Sequence, residues 1–146
     1  MLLGGCGQGG PVDYVTPVDG VATTYAVTVD EVTDPAPPPE NYLTQPPEDS
    51  RLVGVEVTVT ATPQAQSSVA LASTCFTGHD SAGAEAQRLD GFTSQGEQQL
   101  NGVLTQDSSL SGQILFRVPD GETLSTLSAR CDATGSDETV IELTTE

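Results

Sequence analysis

Between Arg51 and Thr62 the sequence reads RLVGVEVTVTAT, where Val53, Val55, Val57 and Val59 alternate with Glu56, Thr58 and Thr60. Successive strand side chains point to opposite faces, so this stretch is a β-strand that turns four valines one way and its polar residues the other. Branching at Cβ favours the extended backbone and packs well on a pleated surface. One such strand cannot stand alone; it needs neighbours and a second layer over its apolar face.

The same period of two recurs. YAVTVDEV sets Tyr25, Val27 and Val29 against Thr28 and Asp30. SVALASTCFTG reads as a third strand carrying Cys75 and Phe76, and GHDSAGAEAQRLDG as a turn, a short strand and another turn. LSGQILFRVPDG turns Leu110, Gly112, Ile114, Phe116 and Val118 inward and ends at Pro119-Asp120-Gly121, a strong turn signal. LSTLSARC and TVIELTT supply two more strands. No window sustains a 3.6-residue period beyond a turn or two, and no internal repeat is found. About seven short strands separated by turns predict an all-β fold, an antiparallel β-sandwich.

Residues 1–20 read as an anchoring remnant and Gly/Pro-rich tether, and residues 21–146 as the folded domain. Within it DPAPPPENYLTQPPEDS holds six prolines; lacking N–H donors it cannot join a ladder, so 35–50 is expected to be a long exposed loop. No apolar stretch approaches the length of a membrane span.

The chain has 21 Asp and Glu against four Arg and no Lys, for a net charge of −17. Binding to phosphates or anionic headgroups needs cations to displace counterions, so nucleic acid is excluded as a partner. The acid is dispersed and not a single charged tail. Two origins fit it: adaptation to high salt, or a GC-rich genome that encodes Arg in preference to Lys. Screening shortens from about 30 Å at 0.01 M salt to about 3 Å at 1 M. On the first origin the melting temperature rises with NaCl across that range, because self-repulsion opposes the compact state. A flat or falling temperature would assign the acidity to composition.

The opening MLLGGCGQGG places Cys6 behind Leu3-Gly4-Gly5, as in a lipobox, where small residues precede a cysteine that receives a lipid. The charged n-region and most of the apolar h-region of such a signal are missing, so the true start lies upstream or the chain was trimmed. The other reading is a Gly-rich tail with an incidental cysteine. Parity favours lipid: with Cys6 modified, Cys75 and Cys131 remain as a pair 56 residues apart. Outside the cytoplasm they form a disulfide; elsewhere they would be two buried thiols. Without CxxC there is neither a redox motif nor a zinc knuckle.

LSGQILFRVPDG followed by LSTLSA, with the earlier GHDSAG turn and the Val-rich strand, resembles a known family. It is the lipoprotein-borne immunoglobulin-like domain of unknown function (telokin-like) related to the secreted immunoprotective extracellular protein of mycobacteria. There a Leu precedes a Gly-led strand ending in Phe-x-Val-Pro; here those positions are Leu110, Gly112, Phe116, Val118 and Pro119. The resemblance spans about Val21 to Thr145, and the Pro-rich insertion departs from it. It implies an immunoglobulin-like sandwich outside the cytoplasmic membrane, often lipid-anchored, and it brings no catalytic residues.

GHDSAG contains His79, Asp80 and Ser81, the residue types of a hydrolase triad. Adjacent residues cannot form one, because the base must lie between nucleophile and carboxylate contributed by separate segments. His79 is the sole histidine, and Ser73, Ser81 or Ser94 would have to reach it; there is no G-x-S-x-G elbow. The plain expectation is a turn with a solvated histidine. One histidine and no cysteine cluster exclude ordinary zinc sites. Asp132, Asp137 and Glu138 in CDATGSDE lack calcium-loop spacing, so no metal is expected. Glycoside hydrolysis is disfavoured by the shortage of aromatics, and no phosphate-binding loop is present.

The expected function is a lipid-anchored, extracytoplasmic β-sandwich acting as a non-catalytic interaction module of the cell envelope, without cofactor. Its partner is a protein or other envelope ligand that the sequence does not name. Contact is expected through the Pro-rich loop, with Tyr42 and Leu43, or through an open sheet edge. The alternatives are a solute-capturing or chaperone-like accessory lipoprotein of a transporter, marked by a concave apolar pocket, and a secreted hydrolase using His79.

Overall fold

The computed structural model describes residues 14–37, 49–62, 69–89, 93, 98–106, 108–131 and 138–143. Among these lie β1 (Val18–Val21), β2 (Tyr25–Thr33), β3 (Ser50–Ala61), β4 (Val69–Ala72), β5 (Phe76–Asp80), β6 (Gln87–Arg88), β7 (Asn101–Leu104), β8 (Ser109–Pro119), β9 (Leu124–Arg130) and β10 (Glu138–Glu142). They form a five-stranded sheet in the order β1-β2-β3-β8-β6, a three-stranded sheet β10-β9-β5 and the pair β4-β7. Every strand pairing is antiparallel.

The valine alternation sets the interior. Val53, Val55, Val57 and Val59 of β3 join Val27 and Val29 of β2 and Ile114, Phe116 and Val118 of β8 in one buried cluster. Phe76, Leu124, Leu127, Ala129 and Ile141 of the three-stranded sheet complete it. Two sheets closed over a shared apolar layer make a β-sandwich. Each fully buried Val, Leu, Ile or Phe contributes about 1.5–3 kcal/mol, so this layer dominates the stability of the fold. At Gly112 the backbone of Leu100 crosses β8 so closely that a Cβ would collide with its Cα and N. Gly121 takes φ +91° in the turn after β8, where the Glu122 N–H donates to Pro119 O at 3.2 Å.

Four features differ from the sequence reading. The stretch SVALASTCFTG is two strands, not one: a 3-10 turn at Ser73–Cys75 divides it, sending β4 to β7 and β5 to β9. Consecutive hydroxyl side chains make such a turn available without Gly or Pro to announce it. The packed chain also starts before Val21, since β1 begins at Val18 and Tyr14 packs against the core. Four residues are too short to display a period. Likewise β7 was not legible, being four residues with a glycine among them.

The fourth difference is a second apolar cluster, Ala36, Leu52, Leu89 and Leu115. Leu52 and Leu115 alternate with the inward residues and so lie on the outer face of the large sheet. The Ala36 N–H donates to Leu52 O at 2.6 Å and the Leu89 N–H to Leu115 O at 2.8 Å. The Pro-rich stretch therefore begins by covering that face, and Ala36 is 7% exposed, not part of an exposed loop. Residues 38–48, with Tyr42 and Leu43, lie outside the described residues.

The registers define two ends. Thr33 (near Gly54), Ser50, Pro119, Asp80 and Leu124 gather at one. Tyr25, Ala61, Ser109, Phe76, Ala129 and Arg130 gather at the other.

Candidate functional site

The first end is held by a buried ion pair. Arg51, the second residue of β3, is 8% exposed, and Asp34, just past β2, is 5% exposed. The guanidinium grips the carboxylate bidentately, Nε to Oδ1 at 2.5 Å and Nη2 to Oδ2 at 2.9 Å. It also donates from Nη1 to Pro119 O at 3.0 Å and from Nη2 to Glu122 O at 2.7 Å. One side chain thus ties β3 to the end of β2 and to the turn that leads into β9. A fork of fixed donors suits this task, which lysine could not perform. Asp120 Oδ1 is buried without a hydrogen bond, and Arg51 Nη1 stands 3.8 Å away to balance its charge.

Tyr14 closes the cluster from outside. Its hydroxyl donates to Asp34 Oδ2 at 3.0 Å and accepts from the Leu124 N–H at 3.1 Å. Burial, aided by the neighbouring Asp34 charge, pushes the Tyr14 phenol well above its ordinary value, so it stays protonated and able to donate. The hydrogen bond to Asp34 likewise raises the Arg51 pKa. Sequence reasoning missed all three residues. Tyr14 reads as tether, and Asp34 as the first residue of the Pro-rich stretch. The available signal was Arg51 itself, one of four cations, heading the most buried strand.

Beside this cluster lies an open cleft of about 290 Å³ lined by Asp49, Ser50, Asp80, Ala84, Glu85, Gln87, Arg117 and Pro119. Among the described residues the Arg117 side chain makes no hydrogen bond or ion pair, whereas Arg51 holds Asp34, Arg88 donates to Phe76 O and Arg130 meets Glu138 at 2.9 Å. By residue type Ala84 and Pro119 are apolar and the other lining residues charged or polar.

GHDSAG lies on this cleft without forming a triad. His79 is in β5, half-buried and bridged to Glu85, and is not the solvated turn residue the sequence suggested. The turn follows it: the buried Asp80 carboxylate accepts from the Ala82 N–H at 2.9 Å and the Ala84 N–H at 3.0 Å. That is the local bonding by which Asp favours turns. The Ser81 hydroxyl donates to Glu122 and accepts from the Thr123 N–H at 3.0 Å, fastening this turn to the Arg51 cluster. Ser73 belongs to the turn before β5, a strand's length from His79. Ser94, Asp132 and Asp137 lie outside the described residues, and Glu138 is paired with Arg130. Among the described residues no group of three His, Cys, Asp or Glu is placed to hold a metal.

At the second end Cys75 and Cys131 are joined as a disulfide with Cα atoms 4.9 Å apart. Next to it the buried Tyr25 hydroxyl donates to Ala129 O at 3.1 Å and accepts from the Cys131 N–H at 3.1 Å. Cys6 lies outside the described residues. Among those described, no helix is long and apolar enough to cross a membrane.

No protein-family model and no curated protein matches the sequence. Two solved structures match its fold. One is a Bacillus subtilis protein described as a lipoprotein, YcdA, with TM-score 0.70 and 16% identity, over 90% of this chain and 39% of that one. This chain therefore spans about two fifths of that protein's length. The other is MPT63, a secreted protein of Mycobacterium tuberculosis, with TM-score 0.55 and 16% identity, over 85% of this chain and 91% of that one. The described strands, their antiparallel sheets and these two likenesses give one result: the chain has the immunoglobulin-like β-sandwich fold implied by Leu110, Gly112, Phe116, Val118 and Pro119.

Proposed function

We propose that this protein is an extracytoplasmic interaction module, held at the outer face of the cell membrane by lipid on Cys6 and performing no chemistry itself. The observation that carries this reading is the fold, shared with a protein described as a lipoprotein and with a secreted protein. The Cys75–Cys131 bond agrees with an oxidising compartment. The side chains of GHDSAG support the non-catalytic part: Asp80 and Ser81 are engaged in holding turns. Partners would be met through a sheet edge, such as β10 with its exposed Val140 between Glu138 and Glu142, or through the Pro-rich loop with Tyr42 and Leu43.

The test is the mass of the N-terminal peptide after expression behind a lipoprotein signal that runs into Leu3-Gly4-Gly5. A diacyl group in thioether linkage on Cys6 is expected, since one chain anchors only marginally. An unmodified Cys6 would refute the anchor.

A further inference from the structure

We infer that the Tyr14–Arg51 end of the sandwich is its membrane-facing end, and that the disulfide end is the surface presented away from the bilayer. This rests on acylation of Cys6. Tyr14 is the first described residue, and it is fixed to the body of the domain by the bonds of its hydroxyl to Asp34 and Leu124. Whatever the path before it, eight peptide units separate it from Cys6, which at full extension reach at most about 29 Å. The sandwich is as tall as that: from Arg51 to Thr60, β3 alone rises about 30 Å. With the disulfide end against the lipid, Tyr14 would stand a full strand length above the surface and the connection would be stretched to its limit. With its own end down, no stretch is needed.

Several features then face the membrane together. Thr33 and Ser50, which flank the Pro-rich segment, belong to this end. So do the cleft with Asp49, Glu85 and Arg117, and the turn with Asp120 and Glu122. Carboxylates outnumber cations here, so this end stands off anionic headgroups and does not adhere to them. The opposite end, where β2 and β8 begin and β3 and β9 finish beside Cys75 and Cys131, is therefore the one left to a protein partner, which favours a sheet edge over the Pro-rich loop among the contacts proposed above.

The experiment uses the lipidated full chain on phosphatidylcholine vesicles containing a nitroxide-headgroup lipid. A fluorophore is placed at Asp49→Cys or Thr60→Cys, two exposed positions near opposite ends of β3. Flotation of the vesicles comes first, because a protein that does not float has lost its anchor, which refutes the acylation and with it this inference. For protein that floats, the quencher is expected to remove most of the fluorescence at position 49 and little at position 60. Inserting eight Gly/Ser residues between Cys6 and Tyr14 should erase that difference while leaving flotation intact. Equal quenching at both positions in the floating, unextended protein, or stronger quenching at 60, would overturn the orientation and leave the anchor standing.

Discussion

Arg51→Met is expected to destabilise the domain by about 3–5 kcal/mol, as removal of one partner from a buried pair does. The loss is large because Asp34 remains behind at 5% exposure with its charge uncompensated, and because Pro119 O and Glu122 O both lose the guanidinium N–H groups that bond to them. For a domain of this size that corresponds to a fall in melting temperature of about 10–20 °C. Replacing both partners, Arg51→Met with Asp34→Leu, should recover most of the loss, since no buried charge is then unpaired. Thermal melts of the wild type, both single variants and the double variant measure the coupling directly. A loss below about 1 kcal/mol for Arg51→Met, the range of exposed pairs, would contradict the buried network.

The second large effect concerns Cys75 and Cys131. Their sequence separation is 56, and closing a loop of that length removes about 4 kcal/mol of chain entropy from the unfolded state. Cys75→Ala with Cys131→Ala should therefore lower stability by a similar amount. It should also loosen the Ser73–Cys75 turn that separates β4 from β5. Non-reducing mass spectrometry of protein made in an oxidising compartment is expected to find one peptide linking the two cysteines. Two thiols open to alkylation in the folded protein would contradict it.

The interior was legible because period two is written directly by strand geometry. Val53 to Val59 and Ile114 to Val118 each needed only the rule that alternate side chains share a face. What escaped was whatever depends on contacts between distant segments. Leu52 and Leu115 look like breaks in an alternating pattern until Ala36 and Leu89 cover them. Tyr14 looks like tether until its hydroxyl finds residues 20 and 110 positions away. The acids were counted as surface, yet Asp34 and Asp80 are buried, one against Arg51 and one against backbone N–H groups. Neither role has a local signature, because the partner that licenses burial lies elsewhere in the chain or in the turn itself. GHDSAG attracted attention by residue type, and its geometry shows a turn fastened at both ends.

Where the protein goes in the cell decides whether lipid on Cys6 anchors it. Cells expressing the chain behind a lipoprotein signal are broken and separated into membrane and soluble fractions, alongside the same cells carrying Cys6→Ser. The wild type is expected in the membrane fraction, resistant to high-salt washing because a diacyl group and not charge holds it, and Cys6→Ser is expected in the soluble fraction with its fold unchanged. Retention of folded Cys6→Ser in the membrane fraction as firmly as the wild type would contradict the lipid anchor.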